Sequence, residues 1–552
     1  MEKKIWDQLT VRDLIWESFD RFTTQPACGF VNNRVYTYGD VRSHVEQVAF
    51  AFRKLGLGRG DRVAILGNNS PHWVISYFAI LSLGIIAVPV LPDFHTDEIR
   101  HIMEHAGVNL LLISQRQLSR FTDEERRSLP RMMQLDDFSM VASGTSSTEE
   151  TNVLYGSFDP MGIAVQPDDL ASIIYTSGTT GFSKGVMLTH RSLVENVRQC
   201  ALIEPLEKGE VFISILPLSH SFENTVGCLL PFSFGAMTHY LEKPPTASVL
   251  VPALQKVRPT YMLSVPLVIE KIFKSQVKGK FESKRILRFL YGLTPVRKIL
   301  HRIAGKKLIA TFGGRLKFFG IGGAKLDYMT ERFLKEARFP YAIGYGLTET
   351  APLLSGVGVA ETRFQSAGRP VDGVEMRINE PDPETGIGEI WARGVNIMKG
   401  YYREPDITGQ VLTPDGWFRT GDLGLIDRDG FLYIKGRLKN VIVGASGENI
   451  YPEEIESVIN RFQYVMESLV INRGGKLVAL VRLNYEELER QFKQMKADAH
   501  RLIDEKAEQL KNELHQFVNE RVNRYSRIQM IYIQEDPFEK TATKKIKRFL
   551  YK

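Results

Sequence analysis

The sequence predicts an α/β protein with more than one domain, and three observations support that class. Its 552 residues exceed what one hydrophobic core organises. Between about residues 27 and 240, short β-branched or apolar runs alternate with helix-like segments, which is typical of βαβ units and a mainly parallel sheet covered by helices. After about residue 362 the chain changes to strands separated by Gly and Pro, and after about residue 440 to a small α+β segment.

The elements of the first region can be assigned in chain order. Apolar and β-branched runs predict strands at 30–38, 62–67, 84–90 and 110–114, and the segments between them predict helices at 40–55 and near 73–83. The longest apolar run, roughly 77–91, is interrupted by Ser82, Gly84 and Pro89 and is shorter than the ~20 residues of a spanning helix. We therefore expect a soluble large domain over residues 1–437.

The last region predicts a separate small domain. A strand pair is expected within 468–483 and a long polar helix over about 485–521, in a segment of ordinary domain size. No low-complexity linker precedes it, so the joint must be short. We place this joint at 438–440 and the C-terminal domain at 441–552.

Cysteine usage and the N-terminus indicate the compartment. Cys28, Cys200 and Cys228 are few, odd in number and far apart, which argues against a disulfide framework and for a reducing environment. Their spacing does not suit a metal site either. The first residues are charged and amphipathic, without the apolar segment of a secretory signal. These features predict a cytoplasmic protein.

Positive charge is concentrated in one segment. Lys and Arg number 71 against 64 Asp and Glu, a net charge of +7, and about a dozen basic residues lie between 271 and 307. Two interpretations stay open for this segment: a solvated helix face, or a patch that meets anionic lipid headgroups on the inner face of a membrane. Nucleic acid is disfavoured, because no base-reading module accompanies the charge.

The stretch 174–190, IYTSGTTGFSKGVMLTH, has the composition of an anion-binding loop. Small residues let the backbone curl so that its amides face one point, and a lysine lies nearby. It is not the NTPase P-loop, because five residues separate Gly178 from Lys184 and Gly185 stands where Ser or Thr would follow the lysine. Alone, the stretch would also fit a plain Gly- and Thr-rich turn.

This loop and five later motifs together resemble the adenylate-forming superfamily of acyl-CoA synthetases, luciferases and peptide-synthetase adenylation domains. The motifs occur in the family's order: YTSGTTGFSKGVMLTH at 175–190, PLSHSFE at 217–223, GIGGAKL at 320–326, YGLTET at 345–350, GWFRTGDLGLIDRDGFLYIKGRLKN at 416–440 and ENIYPEEIE at 448–456. The resemblance implies a large N-terminal α/β domain with parallel sheets and a β subdomain, followed by a small mobile α+β domain. It also implies two half-reactions. A carboxylate attacks the α-phosphate of ATP to give an acyl-adenylate and pyrophosphate, and a thiol such as that of CoA then displaces AMP.

The resemblance assigns the phosphates and the metal to particular residues. The β- and γ-phosphates would be held by Thr176, Ser177, Gly178, Thr179, Thr180, Gly181 and Lys184. Thr348 would contact the α-phosphate, and Glu349 would bind Mg²⁺ through the hard oxygen that this ion prefers. In isolation, the Thr–Glu pair would equally suit a helix cap.

The resemblance also assigns the nucleoside and the acid. Adenine would lie against Gly322, Gly323 and Ala324, with Tyr345 stacking on its face and Gly346 beside it. Asp422 would accept from both ribose hydroxyls, and Arg437 would add a cation near ribose and the α-phosphate. His220 would position the reacting carboxylate, which needs no general base because ordinary carboxyl groups are ionised at neutral pH.

The C-terminal domain would supply the remaining groups. Lys545 aligns with the family's catalytic lysine, although Lys544 replaces the glycine that usually precedes it, and a solvated basic tail is the alternative. Lys439 would be the hinge about which the domain rotates between half-reactions, since a few residues suffice for such a hinge. Gly447 would line the CoA passage.

The predicted substrate is a long-chain fatty acid. The segment from Val265 to Leu326 resembles long-chain fatty acyl-CoA synthetases, and its apolar, basic-flanked helices suit an acid that partitions into membranes. Two enzymatic alternatives stay open: transfer of the acyl group to a carrier-protein thiol, and activation of another acid, such as a medium-chain or aryl acid. A nonenzymatic membrane-binding protein is the alternative from a different class.

Overall fold

The structure is a computed structural model, and it describes residues 6, 8–141, 156–176, 183–273, 291–443, 449–462, 464–484, 499–541 and 546–551. The chain divides into two compact units. The first comprises Met1–Ala324, Phe333–Met376 and Ala392–Phe418, and the second comprises Lys325–Arg332, Arg377–Trp391 and Arg419–Lys552. The predicted joint at 438–440 concerns movement between domains and stays a prediction.

Strands and helices alternate through most of the first unit, and the elements of both units are numbered together in chain order. The strands in chain order are β1 (Pro26–Phe30), β2 (Val35–Thr37), β3 (Arg62–Leu66), β4 (Ile86–Val90), β5 (Leu110–Ile113), β6 (Arg131–Gln134), β7 (Leu170–Thr176), β8 (Lys184–Thr189), β9 (Val211–Ser214), β10 (Met237–Tyr240), β11 (Tyr261–Ser264), β12 (Phe318–Ile321), β13 (Tyr341–Ile343), β14 (Tyr345–Gly346), β15 (Leu353–Gly356), β16 (Arg369–Pro370), β17 (Glu375–Asn379), β18 (Gly388–Arg393), β19 (Gly400–Tyr401), β20 (Phe418–Ile426), β21 (Leu432–Arg437), β22 (Ile442–Val443), β23 (Asn449–Ile450), β24 (Val465–Arg473), β25 (Lys476–Leu483) and β26 (Met530–Ile533). The α-helices are α1 (Val11–Phe22), α2 (Tyr38–Lys54), α3 (Pro71–Ser82), α4 (Thr96–Ala106), α5 (Gln115–Leu118), α6 (Asp123–Arg127), α7 (His190–Ile203), α8 (Leu230–Ser233), α9 (Ala247–Val257), α10 (Pro266–Ile272), α11 (Thr294–Thr311), α12 (Tyr328–Ala337), α13 (Pro405–Val411), α14 (Pro452–Ile459) and α15 (Ala499–Asn519).

Two seven-stranded sheets form the framework of the first unit. One has the order β13-β12-β11-β9-β10-β1-β2, and all its neighbouring pairs are parallel except β1 with β2. The other has the order β19-β8-β7-β4-β3-β5-β6, parallel from β7 to β6 and antiparallel at β7–β8 and β8–β19. The predicted mainly parallel α/β architecture is confirmed.

Local features of the sequence explain why these strands and helices form. β4 and β5 are buried along their whole length, as expected of parallel strands covered on both faces, and they read as continuous apolar runs. The apolar run near 77–91 comprises the end of α3 and all of β4, and α3 is buried all round rather than along one stripe. α2 begins with a capping box in which Thr37 and Asp40 satisfy each other's backbone amides.

The strands and helices of the β-rich region and of the C-terminal segment follow the prediction, whereas the predicted domain bounds stay a prediction. β17, β18, β20 and β21 form a four-stranded sheet, most of whose residues belong to the second unit. β24 and β25 pair as the expected hairpin, and β26 adds to β25 in parallel. α14 begins with Pro452 in its first turn. α15 lies within the predicted polar helix, of which residues 485–498 lie outside the described range.

Each unit has its own apolar core. In the first unit, Trp73, Tyr38, Phe19 and Phe78 are among the fully buried side chains, and Phe232 packs edge-on against Phe19 and Phe78. In the second unit, α14, α15 and the β24–β25–β26 sheet enclose a separate apolar cluster. Within the part of the chain that the structure describes, no helix is long and apolar enough to cross a bilayer.

Candidate active site

The carboxyl ends of neighbouring parallel strands bring several predicted residues to one edge of a sheet. PLSHSFE follows β9, Gly322 follows β12, and Tyr345 follows β13. The backbone N–H of Gly322 donates to the carbonyl of Ser264 at the end of β11 (3.2 Å). Crevices at this edge of open α/β sheets are where ligands bind. The topology therefore gathers segments that lie more than a hundred residues apart in sequence.

The PLSHSFE and YGLTET motifs are in contact. The Ser221 hydroxyl lies 3.5 Å from that of Thr348, and the Thr225 hydroxyl donates to the carbonyl of Ala351 (3.0 Å). His220 is half-buried, and its Nδ1 accepts from the backbone N–H of Phe222 (3.3 Å). That bond leaves the proton of a neutral imidazole on Nε2. Thr348, one of the predicted catalytic residues, is buried beside this motif.

Glu349 is held by a residue that the motifs did not single out. The phenol of Tyr401 donates to Oε1 of Glu349 (2.8 Å), and the ammonium of Lys184 lies 5.4 Å from the centroid of the Tyr401 ring. The backbone N–H of Met398 also donates to the Glu349 carbonyl (2.8 Å). A carboxylate and a cation predicted for the same nucleotide therefore share one aromatic neighbour.

The predicted phosphate loop begins and ends on a pair of antiparallel strands. Thr176, the last residue of β7, pairs with Lys184, the first of β8. Both flanks are tied to α4, since the Tyr175 hydroxyl bonds Nδ1 of His105 (2.7 Å) and the Ser183 hydroxyl donates to Glu98. Ser177, Gly178, Thr179, Thr180 and Gly181 lie outside the described residues.

The predicted adenine wall is closely packed from behind. A Cβ at Gly346 would lie 1.8 Å from the carbonyl oxygen of Pro352, so this position has no room for a side chain, and one at Gly322 would lie in tight contact with the Phe222 ring at 3.2 Å. Tyr345 is half-buried and pairs with Ser355 in the adjoining strand. Gly323 has a positive φ of 84°, and it and Ala324 are exposed. These two small residues therefore leave backbone accessible to a ligand at the position predicted for adenine.

In the second unit, Asp422 and Arg437 are directly opposite each other on β20 and β21. Nε of Arg437 lies 2.6 Å from Oδ1 of Asp422, and the Asp422 side chain is almost fully buried. The Asp422 backbone N–H donates to the Thr420 hydroxyl (3.0 Å), which itself donates to the carbonyl of Ile390 (2.7 Å). Two residues predicted to contact one ribose are therefore held as a pair.

Comparison with known proteins identifies the family of the chain. The family model described as AMP-binding enzyme matches residues 15–402. The chain belongs to the AMP-binding enzyme family. This is the adenylate-forming superfamily that the motifs resemble, so the predicted family is confirmed.

Members of this family that are similar to the chain act on several acids and acceptors. A long-chain-fatty-acid–CoA ligase of Mycobacterium bovis is 28% identical over 485 residues, covering 82% of this chain and 78% of the relative. A chloroplastic long-chain-fatty-acid–[acyl-carrier-protein] ligase of Arabidopsis thaliana is 28% identical over 537 residues, covering 82% and 73%.

Solved structures of the family share the fold. O-succinylbenzoate CoA synthetase of Bacillus subtilis, in complex with its acyl-adenylate intermediate, matches with a TM-score of 0.76 at 21% identity, covering 99% of this chain and 98% of that one. ATP-bound MatB of Rhodopseudomonas palustris matches with a TM-score of 0.77 at 22% identity, covering 98% of both chains. The predicted fold class is confirmed.

The residues around Glu349 fit a magnesium ion that arrives with its nucleotide. Glu349 is partly exposed and offers carboxylate oxygen, and the described residues contain no cluster of three His, Cys, Asp or Glu that would hold an ion by itself. Mg²⁺ in such sites uses one or two carboxylates and completes its shell with water and substrate phosphates. The single carboxylate of Glu349 fits this mode of Mg²⁺ binding.

The remaining predicted residues lie in the second unit. Lys439 is exposed in a 3-10 turn, Leu438–Asn440, whose Asn440 amide donates to Glu453 (2.6 Å). Lys545 and Gly447 lie outside the described residues, as does Lys544. The hinge, the CoA passage and the catalytic lysine therefore stay predictions.

Glu223 is the last residue of the PLSHSFE motif, and the resemblance assigned it no role. It is fully buried at the start of a π-helix, Glu223–Leu229, and the Ser214 hydroxyl donates to its Oε1 (2.5 Å). Oε2 has no hydrogen-bond partner among the described residues, and a Cβ at Gly227 would lie only 2.7 Å from the carboxyl carbon. Burial raises the pKa of Glu223 to about 8, so its carboxyl is mostly protonated at neutral pH. π-Helical turns recur at functional sites.

Tyr401→Phe should raise the Mg²⁺ concentration needed for activity. The variant loses a hydrogen bond to a carboxylate, a contact worth about 1.5–3 kcal/mol, so we expect a roughly tenfold or larger loss of kcat/KM for MgATP that added Mg²⁺ partly restores. Pyrophosphate release at graded Mg²⁺ measures this. Tyr402→Phe is the matched control and should resemble the wild type. An unchanged Mg²⁺ dependence in Tyr401→Phe would contradict the role assigned to its hydroxyl.

Glu223→Gln should remove part of the pH dependence of stability. The unfolded carboxyl ionises near 4.5 and the folded one near 8, so unfolding releases a proton between those values and the free energy of unfolding falls as pH rises. Glutamine does not titrate. The stability of the variant relative to the wild type should therefore increase from pH 5 to pH 8, by an amount on the order of 3–5 kcal/mol.

Urea unfolding midpoints at several pH values measure this difference. Glu124→Gln, at an exposed position in α6, is the matched control and should follow the wild-type pH dependence. Parallel curves for Glu223→Gln and the wild type would show that the buried carboxyl is already ionised.

Proposed function

We propose that this protein activates a long-chain fatty acid with ATP and transfers the acyl group to CoA. The observation that carries the proposal is the joint presence of the family's motif residues in contact with one another and of relatives named long-chain-fatty-acid–CoA ligases that cover most of the chain. The acid is the finer part of the proposal. It rests on those relatives and on the apolar, basic segment before the glycine-rich wall.

In the first half-reaction, a carboxylate oxygen of the acid attacks the α-phosphorus of ATP. An oxygen–phosphorus bond forms, the bond from the α-phosphorus to the bridging oxygen breaks, and pyrophosphate leaves with that oxygen and the electron pair. Because the acid arrives ionised, no protein base is required. The protein's task is to hold two anions together, which fixed donors and cations accomplish.

Residues of the first unit are assigned to the phosphates and the acid. We propose that Lys184, with the loop residues Thr176, Ser177, Gly178, Thr179, Thr180 and Gly181, binds the β- and γ-phosphates, and that the Thr348 hydroxyl donates to the α-phosphate. The Nε2–H of His220 then donates to the substrate carboxylate, since Nδ1 accepts from the backbone. Gly322, Gly323, Ala324, Tyr345 and Gly346 accept the adenine.

Mg²⁺ held by Glu349 would neutralise phosphate charge during the transfer. Tyr401 orients that carboxylate by donating a hydrogen bond to Oε1, and the other carboxylate oxygen, Oε2, does not take part in this bond. In the second unit, Asp422 accepts from the ribose hydroxyls, and Arg437 keeps the Asp422 carboxylate oriented while its remaining N–H groups reach the nucleotide. Lys545 is proposed to bridge the carboxylate and the α-phosphate.

In the second half-reaction, the thiol sulfur of CoA attacks the acyl carbonyl carbon. A carbon–sulfur bond forms, the carbon–oxygen bond to AMP breaks, and AMP leaves as the anion while the thiol proton passes to solvent. We propose that rotation about Lys439 removes Lys545 from the site and that Gly447 lines the route of the pantetheine arm. A carrier-protein thiol is the second candidate acceptor, because one relative is named for that reaction.

We also propose a cytoplasmic location with peripheral contact at a membrane. Three buried cysteines remain free, as expected in a reducing compartment. A fatty acid partitions into bilayers, so access to a membrane surface would give the enzyme access to its substrate.

A panel of acids tests the substrate. With ATP, Mg²⁺ and CoA, we expect palmitate and oleate to release pyrophosphate fastest, because each buried CH₂ contributes about 0.8 kcal/mol and a long chain gains most. Acetate, benzoate and malonate are the comparison acids. Rapid turnover of a short or aryl acid, with no turnover of chains above about ten carbons, would contradict the proposal. Parallel reactions with CoA and a holo-carrier protein identify the acceptor.

Lys545→Ala should separate the half-reactions. Removing the ammonium should abolish adenylate formation, because two oxyanions then meet without a neutralising charge, and should spare thioester formation from supplied acyl-adenylate. Lys544→Ala is the matched control and should keep both steps. Loss of both steps in Lys545→Ala would contradict the assignment, and loss of adenylation in Lys544→Ala would move it by one residue.

A further inference from the structure

Helix α11 of the first unit turns an apolar row toward solvent. Ile299 and Ile303 are four residues apart, and their side chains are 57% and 51% exposed. Residues at this spacing lie on one face of a helix, one turn apart. A soluble helix normally directs such a row inward. Here the inward side is occupied by other residues.

Contacts on the opposite side of α11 fix this orientation. His301 is buried with Nδ1 2.8 Å from Glu336, and Arg297 contacts the same carboxylate with two nitrogens (2.9 and 3.1 Å). Gly305 lies so close to Ala337 that a Cβ would be 2.7 Å from that methyl group. The isoleucines therefore point outward because polar and close-packed contacts hold the other side.

Basic residues flank the apolar row. Lys298, Arg302 and Lys306 recur every four residues on one side of it, and Lys307 lies on the other. The helix contains no Asp or Glu, and none of these four cations forms an ion pair with a described residue. The six residues Ile299, Ile303, Lys298, Arg302, Lys306 and Lys307 are called the docking face below.

We propose that the docking face binds an anionic phospholipid bilayer, from which the protein takes its acid. Apolar side chains between Lys and Arg residues are the arrangement of helices that lie in the membrane interface, where the cations meet phosphate headgroups and the apolar row enters the acyl boundary. Lysine stems can follow the apolar row while their ammonium groups stay among the headgroups. The helix is about 27 Å long, enough to span several lipid headgroups.

An acidic protein partner is less well matched to this face. It would pair with the cations, but the two isoleucines lie at the centre of the exposed face and need an apolar environment. Only the source of the acid rests on the proposed function. Binding to the bilayer does not require it.

The test uses the full-length protein and vesicles without ATP. We expect the wild type to sediment with vesicles of phosphatidylcholine mixed with phosphatidylglycerol, to bind pure phosphatidylcholine weakly, and to dissociate as salt screens the headgroups. Lys298→Glu/Arg302→Glu/Lys306→Glu should lower the partition coefficient by about a hundredfold or more, at roughly fivefold per charge removed. Ile299→Ser/Ile303→Ser should lower it about tenfold or more without changing the charge.

A triple variant elsewhere in the first unit provides the matched control. Lys54→Glu/Arg116→Glu/Lys208→Glu alters the net charge equally at exposed positions outside the face and should bind vesicles nearly as well as the wild type. Equal losses in the two triple variants, vesicle binding unaffected by either change to the face, or face-dependent binding of an acidic carrier protein without vesicle binding would overturn the proposal.

A second readout separates this proposal from the proposed function. Pyrophosphate release from a detergent-dispersed fatty acid should be the same in the wild type and in the face variants, because the face lies outside the residues assigned to catalysis. Vesicle binding that depends on the face, with no fatty acid turned over by any variant, would support docking and reject the proposed substrate. Normal turnover without vesicle binding would reject docking alone.

Discussion

The parallel pairing of β9, β11, β12 and β13 is the constraint on which the candidate site depends. Parallel neighbours end at the same edge of a sheet, so the segments that follow them converge wherever they lie in sequence. His220, Gly322 and Tyr345 come together for this reason. Were one of these strands antiparallel, its motif would emerge at the opposite edge. Burial of such strands fixes their order in the sheet, because a strand covered on both faces has no polar face that could be turned to solvent.

Sequence alone predicted the architecture and the family, because both have local signals. The alternation of short apolar runs with helices predicts the parallel sheets, and Gly346 stands where the structure has no room for a side chain. The contact between Ser221 and Thr348 agrees with motifs that were expected to serve one substrate.

Other features lacked a local signal. Tyr401 contacts Glu349 across 52 positions, and nothing in the surrounding residues indicates that its hydroxyl meets a carboxylate. Glu223 ends the PLSHSFE motif and is followed by Asn and Thr, and its burial depends on Ser214 and on a π-helical turn that composition does not predict. The sequence predicts the basic segment, but the helical spacing of Ile299 and Ile303 would place both side chains on the buried face of α11. The buried contacts of His301 and Arg297 with Glu336 decide the side that faces solvent, and Glu336 is distant in sequence.

The neutral state of Glu223 has a consequence for the chemistry of its surroundings. It lies three residues after His220, in a region proposed to receive a carboxylate and a triphosphate. An ionised side chain there would repel both, whereas a protonated one presents only a dipole. Burial thus keeps the Glu223 carboxyl uncharged, so that it does not add a negative charge to a region that must hold two anionic substrates. In alkaline solution the Glu223 carboxyl would ionise and repel these anions, although it is not among the residues assigned to contact the substrates.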